Sequence, residues 1–300
     1  LLALWVGLAG GGEAAGGPPA ADGGPPVPLV FAFQPQENPE GLAPQASRLA
    51  AHLAEVLGTP TEVYLPTTYA AVVEALRAGH AHVACLSGWP YLVARRAAGM
   101  ELLVVEERGG QPFYYSQWYV RSDGDVQPLE DLRGRSVAFP SPTSTSGYLF
   151  PIARVVEAGL LRSGEDPKAF FGEIVFAGGY QQALQALANG SVAAAAASDY
   201  AFDMYLDEAQ RAGIRVLERQ GPVPTHGIAV RTSVPAPWRE RIREALLGLN
   251  ADEHRELLRS VYGAERLVAR SHEEHVGALE RALALVGVDE DGRPTGGAGR

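Results

Sequence analysis

The sequence has few of the residues that would cross-link the chain, and its basic residues are too few to give it a positive net charge. Cys85 is the only cysteine among 300 residues, which excludes an intrachain disulfide and a metal site built from several thiolates. Lys168 is the only lysine, so the basic side chains are almost all arginine. Acidic residues outnumber basic ones, 35 to 25, and the net charge is −10. This balance argues against a nucleic-acid binder that relies on broad neutralisation of phosphates.

Long apolar runs and the common catalytic motifs are also missing. After the apolar start of the chain, no stretch is long enough and apolar enough to span a bilayer. No serine lies in a Gly-x-Ser-x-Gly elbow, and no Gly-x-x-x-x-Gly-Lys phosphate loop occurs. His272 and His275 lack the His-Glu-x-x-His order of a zinc helix, and their charged surroundings indicate a solvated helix face. We therefore expect no catalytic residue, no bound metal and no cofactor.

The two ends of the chain are predicted to lie outside the folded core. Leu1–Ala9 is apolar and has the length of a signal-peptide h-region, and the residues that follow are rich in Gly, Pro and Ala. We expect residues 1–27 to be a signal-peptide remnant with a flexible tether, and residues 289–300 to be a flexible tail. A secreted protein, periplasmic or otherwise extracytoplasmic, follows from this interpretation.

Apolar β-rich runs alternate with amphipathic helical runs, which favours an α/β architecture with largely parallel sheets. The predicted strands are 29–33, 61–65, 81–86, 101–106, 116–121, 135–139, 173–177, 192–197, 214–218 and 226–231. The predicted helices are 41–57, 68–78, 89–98, 146–159, 179–188, 202–212, 235–249, 252–261 and 271–286. Cys85 falls within an apolar strand, where a small buried core residue is a better interpretation than a nucleophile.

Hydroxyl side chains crowd the start of one predicted helix. The segment Pro-Ser-Pro-Thr-Ser-Thr-Ser-Gly-Tyr-Leu-Phe-Pro runs from Pro140 to Pro151, between a strand-like and a helix-like run. A helix start offers unpaired N–H groups and the positive end of the helix dipole. The hydroxyls of Ser144, Thr145 and Ser146 would complete a neutral, donor-rich cradle for a tetrahedral oxyanion. The alternative is that these hydroxyls only cap the helix.

A second candidate contact, Ser87, follows the predicted strand 81–86 and opens a helix together with Gly88. Small residues at such a turn let the backbone approach a ligand closely. In open α/β sheets, ligands bind beyond the carboxyl ends of the strands, which is where Ser87 lies.

The run Ser144-Thr145-Ser146-Gly147, followed by an aromatic residue, Leu149 and Pro151, resembles the ligand loop of the phosphate/phosphite/phosphonate periplasmic binding proteins of ABC transporters. Further segments resemble that family in the same order: the opening strand 29–33 with the loop 34–40, the Tyr-led helix 68–76, the aromatic-Ser strand 113–116 and the Ala-Asn-Gly-x-Val turn 188–192. The resemblance covers roughly residues 28–285.

The resemblance implies a type II periplasmic-binding-protein fold, with two α/β lobes joined by two crossing hinge strands. Lobe 1 would comprise residues 28–120 and 222–288, and lobe 2 residues 121–221. The implied function is capture of a small phosphorus oxyanion (phosphonate, phosphite or phosphate) in an interlobe cleft that closes by hinge motion. The protein, expected to be a monomer, would deliver that anion to an ABC permease.

The resemblance also assigns ligand contacts beyond the hydroxyl cradle. It places Tyr69 in the first lobe, Tyr114 on a strand edge and Tyr180 at a helix start where the family often has a histidine with an acidic neighbour. It gives Asp199 and Tyr200 an acidic or hydrogen-bonding contact. Tyr69 could instead be a surface tyrosine, and Asp199 could instead be the N-cap of helix 202–212.

Two other functions stay open on the sequence. The same fold could be a ligand-sensing module that docks on a membrane receptor, in which case a partner chain would be needed. An enzyme that acts on a phosphate ester is a third interpretation, although Ser144 and Ser146 have no neighbouring residue that could act as a base.

Overall fold

The computed structural model describes residues 4–6, 24–34, 39–66 and 68–295. Most of the predicted signal-peptide remnant and tether lies outside the described residues, as do segment 35–38 of the loop that resembles the family and residues 296–300 of the predicted tail. Across the described part of the chain, no helix is both long and apolar enough to cross a bilayer.

Strands and helices alternate along the chain as the sequence pattern predicts. The strands are β1 Leu4–Val6, β2 Leu29–Phe33, β3 Thr61–Leu65, β4 Val83–Leu86, β5 Met100–Glu107, β6 Phe113–Arg121, β7 Ser136–Phe139, β8 Glu173–Phe176, β9 Ala194–Ser198, β10 Ile214–Pro224, β11 Gly227–Arg231 and β12 Arg266–Val268. The α-helices are α1 Pro39–Leu57, α2 Tyr69–Ala78, α3 Gly88–Ala98, α4 Phe150–Glu157, α5 Tyr180–Ala188, α6 Asp199–Tyr205, α7 Glu208–Ala212, α8 Ala236–Gly248, α9 Arg255–Tyr262 and α10 His272–Val286. A π-helical turn, Thr145–Leu149, leads directly into α4.

The described chain divides into two compact units. The first contains the residues up to Pro112 together with Thr225–His275, and the second contains Phe113–Pro224 together with the residues from Val276 onward. The predicted lobe boundary at residue 120 falls near the end of β6, yet β6 pairs with β9 and β10 of the second unit along most of its length.

The first unit is built on a seven-stranded sheet with the order β1-β3-β2-β4-β11-β5-β12. Strand β2 is parallel to β3 and β4, whereas β11 runs antiparallel to β4 and β5. All five side chains of β2 are buried and apolar, as expected for a strand covered on both faces. Leucines of α1 pack against this sheet together with apolar residues of α8 and α9.

The second unit is built on a five-stranded sheet with the order β10-β6-β9-β7-β8. Its alanine-rich strand β9 shows the period of two that a doubly covered strand requires. Ala194 and Ala196 pack with Trp118 on one face. Ala195 and Ala197 pack with Leu184 on the other. The carboxyl end of β9 therefore delivers Ser198 to the same face as Trp118.

Two helix predictions in the second unit need correction. The predicted helix 202–212 is two helices, because Leu206 adopts an extended backbone (φ −110°, ψ 136°) and Asp207 starts α7 with a capping box to Gln210. The predicted helix 146–159 begins as a π-helical turn rather than as regular α-helix. The sequence pattern does not reveal strands β1 and β12, because runs of three residues carry too little periodicity.

Candidate ligand-binding site

The hydroxyl-rich segment forms the π-helical turn that precedes α4. Ser144 is its N-cap, and the Ser144 Oγ accepts a hydrogen bond from the Gly147 N–H at 3.0 Å. The Leu149 N–H donates to the Ser144 carbonyl at 3.0 Å, which is the five-residue spacing of a π-helix. The capping interpretation therefore holds for the Ser144 oxygen, although its O–H proton remains a donor. Single π turns inside helices occur frequently at functional sites.

Gly147 fixes this turn against the strand that precedes it. A Cβ at this position would lie 2.1 Å from the Pro140 Cγ and 2.8 Å from the Ser144 Oγ, closer than any side chain tolerates. Only glycine lets Pro140 and the turn pack at this distance. The Gly in the Ser-Thr-Ser-Gly run thus serves close packing and leaves the two hydroxyls before it, Thr145 and Ser146, on a rigid base.

Ser146 is the centre of a hydrogen-bonded cluster of hydroxyls. The Tyr114 OH, from the start of β6, donates to the Ser146 Oγ at 3.1 Å. The Tyr180 OH, from the first residue of α5, lies 2.7 Å from the same oxygen. Ser146 is fully buried and Tyr114 nearly so. Three residues proposed from the sequence thus meet at one point of the second unit.

Tyr200 adds a third aromatic ring to this cluster. It is the second residue of α6, and its ring centroid lies 5.4 Å from that of Tyr114 and 6.5 Å from that of Tyr180. Both pairs are steeply inclined, which is a favourable arrangement for aromatic rings. Tyr114 and Tyr180 thus contact Ser146 directly, and Tyr200 packs against both of their rings.

Asp199 is the first residue of α6, and Ser198 is the N-cap. Its alternative role as the N-cap of helix 202–212 is therefore wrong, because that helix does not exist as predicted. The Asp199 Oδ1 accepts a hydrogen bond from the Tyr200 N–H at 3.0 Å, and Oδ2 lies 3.7 Å from the Arg219 Nη2. Arg219 also lies 3.5 Å from the centroid of the Tyr115 ring. The arginine offsets the carboxylate charge that would otherwise oppose an anion.

Tyr69 and Ser87 belong to the first unit, whereas the other seven predicted contacts belong to the second. Tyr69 is the first residue of α2 and follows the N-cap Thr68, whose Oγ1 accepts from the Ala71 N–H at 3.1 Å. Ser87 is the N-cap of α3 and makes no side-chain capping bond. Both residues therefore occupy helix starts, as the sequence predicts.

A buried polar network lies next to Ser87. The Ser87 N–H donates to the Gln34 Oε1 at 2.6 Å, and the Gln34 Nε2 lies 3.3 Å from the His226 Nε2. Because an amide nitrogen only donates, the His226 Nε2 is the acceptor and its proton lies on Nδ1. That nitrogen is 3.4 Å from the Glu106 Oε1. The orientation of Gln34, and with it the start of α3, is thereby fixed.

Cys85, Glu106 and His226 place three potential metal ligands within 4.8 Å of one another. Sequence reasoning missed this cluster because its members come from three separate strands or strand ends. Burial and the nearby Glu106 hold the pKa of the Cys85 thiol well above its usual value. Burial alone would raise the pKa of Glu106, but interactions with His226 and Arg108 outweigh it and lower this pKa. The network is thus satisfied by its own ion pair and lacks the thiolate that soft metals take.

His275 is buried, contrary to the solvated helix face predicted for it. Its Nε2 lies 3.0 Å from the Thr225 carbonyl oxygen and donates to it. Burial lowers the pKa of His275 from 6.5 to about 4, so the ring is neutral at neutral pH. The solvated face was predicted from the charged neighbours Glu273 and Glu274. These two residues are exposed, but they lie on another side of α10 from His275.

Comparison with known protein families gives a match along most of the chain. The sequence profile described as "ABC transporter, phosphonate, periplasmic substrate-binding protein" matches residues 31–275. The Phosphate-import protein PhnD of Mycolicibacterium smegmatis is 35% identical over 189 residues, which are 61% of this chain and 57% of that protein. The chain thus matches little more than half the length of this curated relative.

Two of the solved structures with similar folds carry a related description. A binding protein component of a phosphonate ABC transporter from Pseudomonas aeruginosa has a TM-score of 0.73 at 16% identity and covers 86% of each chain. PhnD1 from Prochlorococcus marinus, in complex with methylphosphonate, has a TM-score of 0.72 at 15% identity and covers 85% of this chain and 97% of its own. A Xanthomonas citri protein bound to a chloride ion has a TM-score of 0.73 at 21% identity, over 86% of this chain and 96% of its own. These likenesses confirm the predicted α/β periplasmic-binding-protein fold.

Proposed function

Since the chain belongs to the phosphonate family of ABC-transporter periplasmic substrate-binding proteins, we propose that it captures a small phosphorus oxyanion and delivers it to an ABC permease. The family resemblance read from the sequence is confirmed by this membership. The proposed ligands are phosphonate, phosphite and phosphate, and the proposed location of the protein is periplasmic or otherwise extracytoplasmic. It acts as a monomer, without cofactor and without catalysis.

The observation that carries this proposal is the cluster of uncharged hydroxyls around Ser146. A phosphorus oxyanion needs several hydrogen-bond donors, and a turn at the start of α4 supplies N–H groups and hydroxyls together. Ser146 is fully buried and already bonded to Tyr114 and Tyr180, so the donors are held in place before a ligand arrives. Such pre-organisation reduces the entropy lost on binding.

The remaining contacts follow from their places at helix starts and strand ends. We propose that Thr145 and Ser144 donate from the π turn, and that Tyr200 and Asp199 contribute from the start of α6. Because Arg219 is paired with Asp199, that carboxylate can lie beside an anion at reduced electrostatic cost. We retain Tyr69 and Ser87, at the starts of α2 and α3, as proposed ligand contacts.

We expect phosphorus oxyanions to raise the melting temperature, because a ligand that binds only the native state stabilises it by mass action. A thermal-shift panel should include phosphate, phosphite, methylphosphonate and 2-aminoethylphosphonate, with sulfate and nitrate as the matched controls. A shift with at least one phosphorus anion, larger than with either control, supports the proposal. The absence of any shift at millimolar concentration would contradict it.

We also expect binding to be independent of divalent metal ions. The one cluster of potential ligands among the described residues, Cys85, Glu106 and His226, already neutralises its carboxylate with Arg108. Adding EDTA should therefore leave the thermal shift unchanged. A shift that disappears in EDTA and returns with zinc or magnesium would show that this cluster, or another, takes part in binding.

A further inference from the structure

One backbone carbonyl of the π turn cannot be satisfied within the turn itself. The Ser144 carbonyl accepts from Leu149, and the Thr145 carbonyl accepts from Phe150, each five residues on. For the Ser146 carbonyl, the donor in this register would be residue 151, which is a proline and has no N–H. A buried carbonyl without a partner is costly, so this oxygen requires a donor from elsewhere.

Ser116 of β6 supplies that donor. Its Oγ donates to the Ser146 carbonyl oxygen at 2.6 Å, and it accepts in turn from the Gln220 Nε2 of β10, also at 2.6 Å. A serine hydroxyl has one proton, and because Gln220 donates into the oxygen, that proton is directed at Ser146. Ser116 and Ser146 are fully buried and Gln220 nearly so, which strengthens both bonds.

The sheet places these side chains in a single row. Gln220 is directly opposite Ser116 between β10 and β6, and Ser116 is directly opposite Ser198 between β6 and β9. Opposite residues of neighbouring strands point to the same face. The register of β10 shifts between Gln220 and Val223, directly after Gln220. Within this row, Gln220 and Ser116 connect strands β10 and β6 to the π turn through two successive hydrogen bonds, the second of which ends at the Ser146 carbonyl.

We propose that Gln220 and Ser116 are positioning residues that set the place of Ser146 for oxyanion binding; this inference rests on the proposed function. Ser146 is held at two atoms: Ser116 fixes its carbonyl, while Tyr114 and Tyr180 fix its hydroxyl. Pro151 contributes to the same arrangement, because it has no N–H that could compete with the Ser116 hydroxyl for the Ser146 carbonyl. Neither Gln220 nor Ser116 needs to touch the ligand.

The first test uses a readout that requires no ligand. In Ser116→Ala and Gln220→Met, amide hydrogen exchange should speed up in peptides that cover residues 144–150 and stay unchanged in peptides from β7. Ser191→Ala, at an exposed turn, is the matched control and should leave amide exchange unchanged in both sets of peptides. Unchanged exchange at the turn in both variants would overturn the proposal, whether or not the protein binds phosphorus anions. A wild-type protein that binds no such anion would overturn the proposed function instead.

The second test measures affinity by calorimetry with inorganic phosphate and with methylphosphonate. Each variant should bind about five- to tenfold more weakly than the wild type, in keeping with the loss of one buried hydrogen bond. In a Pro151→Ala background, residue 151 offers an N–H to the Ser146 carbonyl. Adding Ser116→Ala to this background should therefore reduce the affinity clearly less than it does in the wild type. This coupling is what a double-mutant cycle detects. Variants that lose melting temperature but keep wild-type affinity would reduce Ser116 and Gln220 to a purely structural role.

Discussion

Ser146→Ala and Thr145→Ala should each weaken oxyanion binding by roughly 1.5–3 kcal/mol, the range for hydrogen bonds to charged groups. In affinity this is roughly a 10- to 150-fold loss. Thr145 and Ser146 both lie in the first turn before α4 and are buried, so a ligand there is bonded with little competition from water. Ser146→Ala also removes the shared partner of Tyr114 and Tyr180, which should add to its effect.

The decisive comparison sets calorimetric affinity against melting temperature for each variant. Thr145→Ser keeps the hydroxyl and should retain most of the affinity, whereas Ser191→Ala, at an exposed turn, should leave it unchanged. Loss of a helix cap alone costs about 1 kcal/mol of stability and no affinity. If both alanine variants bind phosphate and methylphosphonate normally, with or without a loss of stability, the Thr145 and Ser146 hydroxyls do not contact the ligand and the proposed site is wrong.

Acid should destabilise the protein in a window set by His275. Burial holds the folded-state pKa of His275 at about 4, below the 6.5 of an exposed histidine; the hydrogen bond to the Thr225 carbonyl acts in the opposite direction and the positive charge of Arg270 in the same direction. Above pH 6.5, His275 is neutral in both the folded and the unfolded protein, and it does not reduce the free energy of unfolding. As the pH falls further, only the unfolded state takes up the proton, so the free energy of unfolding drops by about 1.4 kcal/mol per pH unit. Over the whole window the loss is about 3 kcal/mol.

His275→Gln isolates this contribution. The glutamine side chain can still donate to the Thr225 carbonyl, but it does not titrate. Urea unfolding at pH 7, 5.5 and 4.5 should show a much smaller loss of stability in this variant than in the wild type. Exposed His80, changed to Gln, is the matched control and should keep the wild-type slope. Equal slopes in the wild type and His275→Gln would mean that His275 does not govern the acid response.

The sequence predicts the secondary-structure elements and the helix start at residues 144–147 because both depend on local pattern. Strand β2 is a continuous apolar run, and its predicted bounds, 29–33, are the observed ones. Residues 144–147 indicate a helix start through their hydroxyls and glycine, which act within a few residues of one another. Tyr114 and Tyr180 follow from the family resemblance, and the structure brings both within hydrogen-bonding distance of Ser146.

The features that escaped prediction depend on contacts between distant parts of the chain. Gln220 lies beyond the predicted end of its strand, 218, because a register shift lets β10 continue to Pro224. Its bond to Ser116 spans 104 residues, and no local pattern signals it. His275 is buried because α10 packs it onto Thr225, which is 50 residues away. The break at Leu206 reflects the capping of α7 by Asp207 rather than any proline or glycine.

The uncharged character of the hydroxyl cluster bears on how fast a ligand is captured. A chain with a net charge of −10 repels an approaching anion at long range, and tyrosine and serine hydroxyls do nothing to draw it in. At the proposed site, attraction would come from hydrogen bonds and from the start of α4, both of which act at short range. Dissolved salt screens the repulsion over about 10 Å at 0.1 M, so a saltier medium speeds the encounter instead of slowing it. We therefore expect the association rate of an anion such as phosphate to stay constant or rise, rather than fall, as the salt concentration increases.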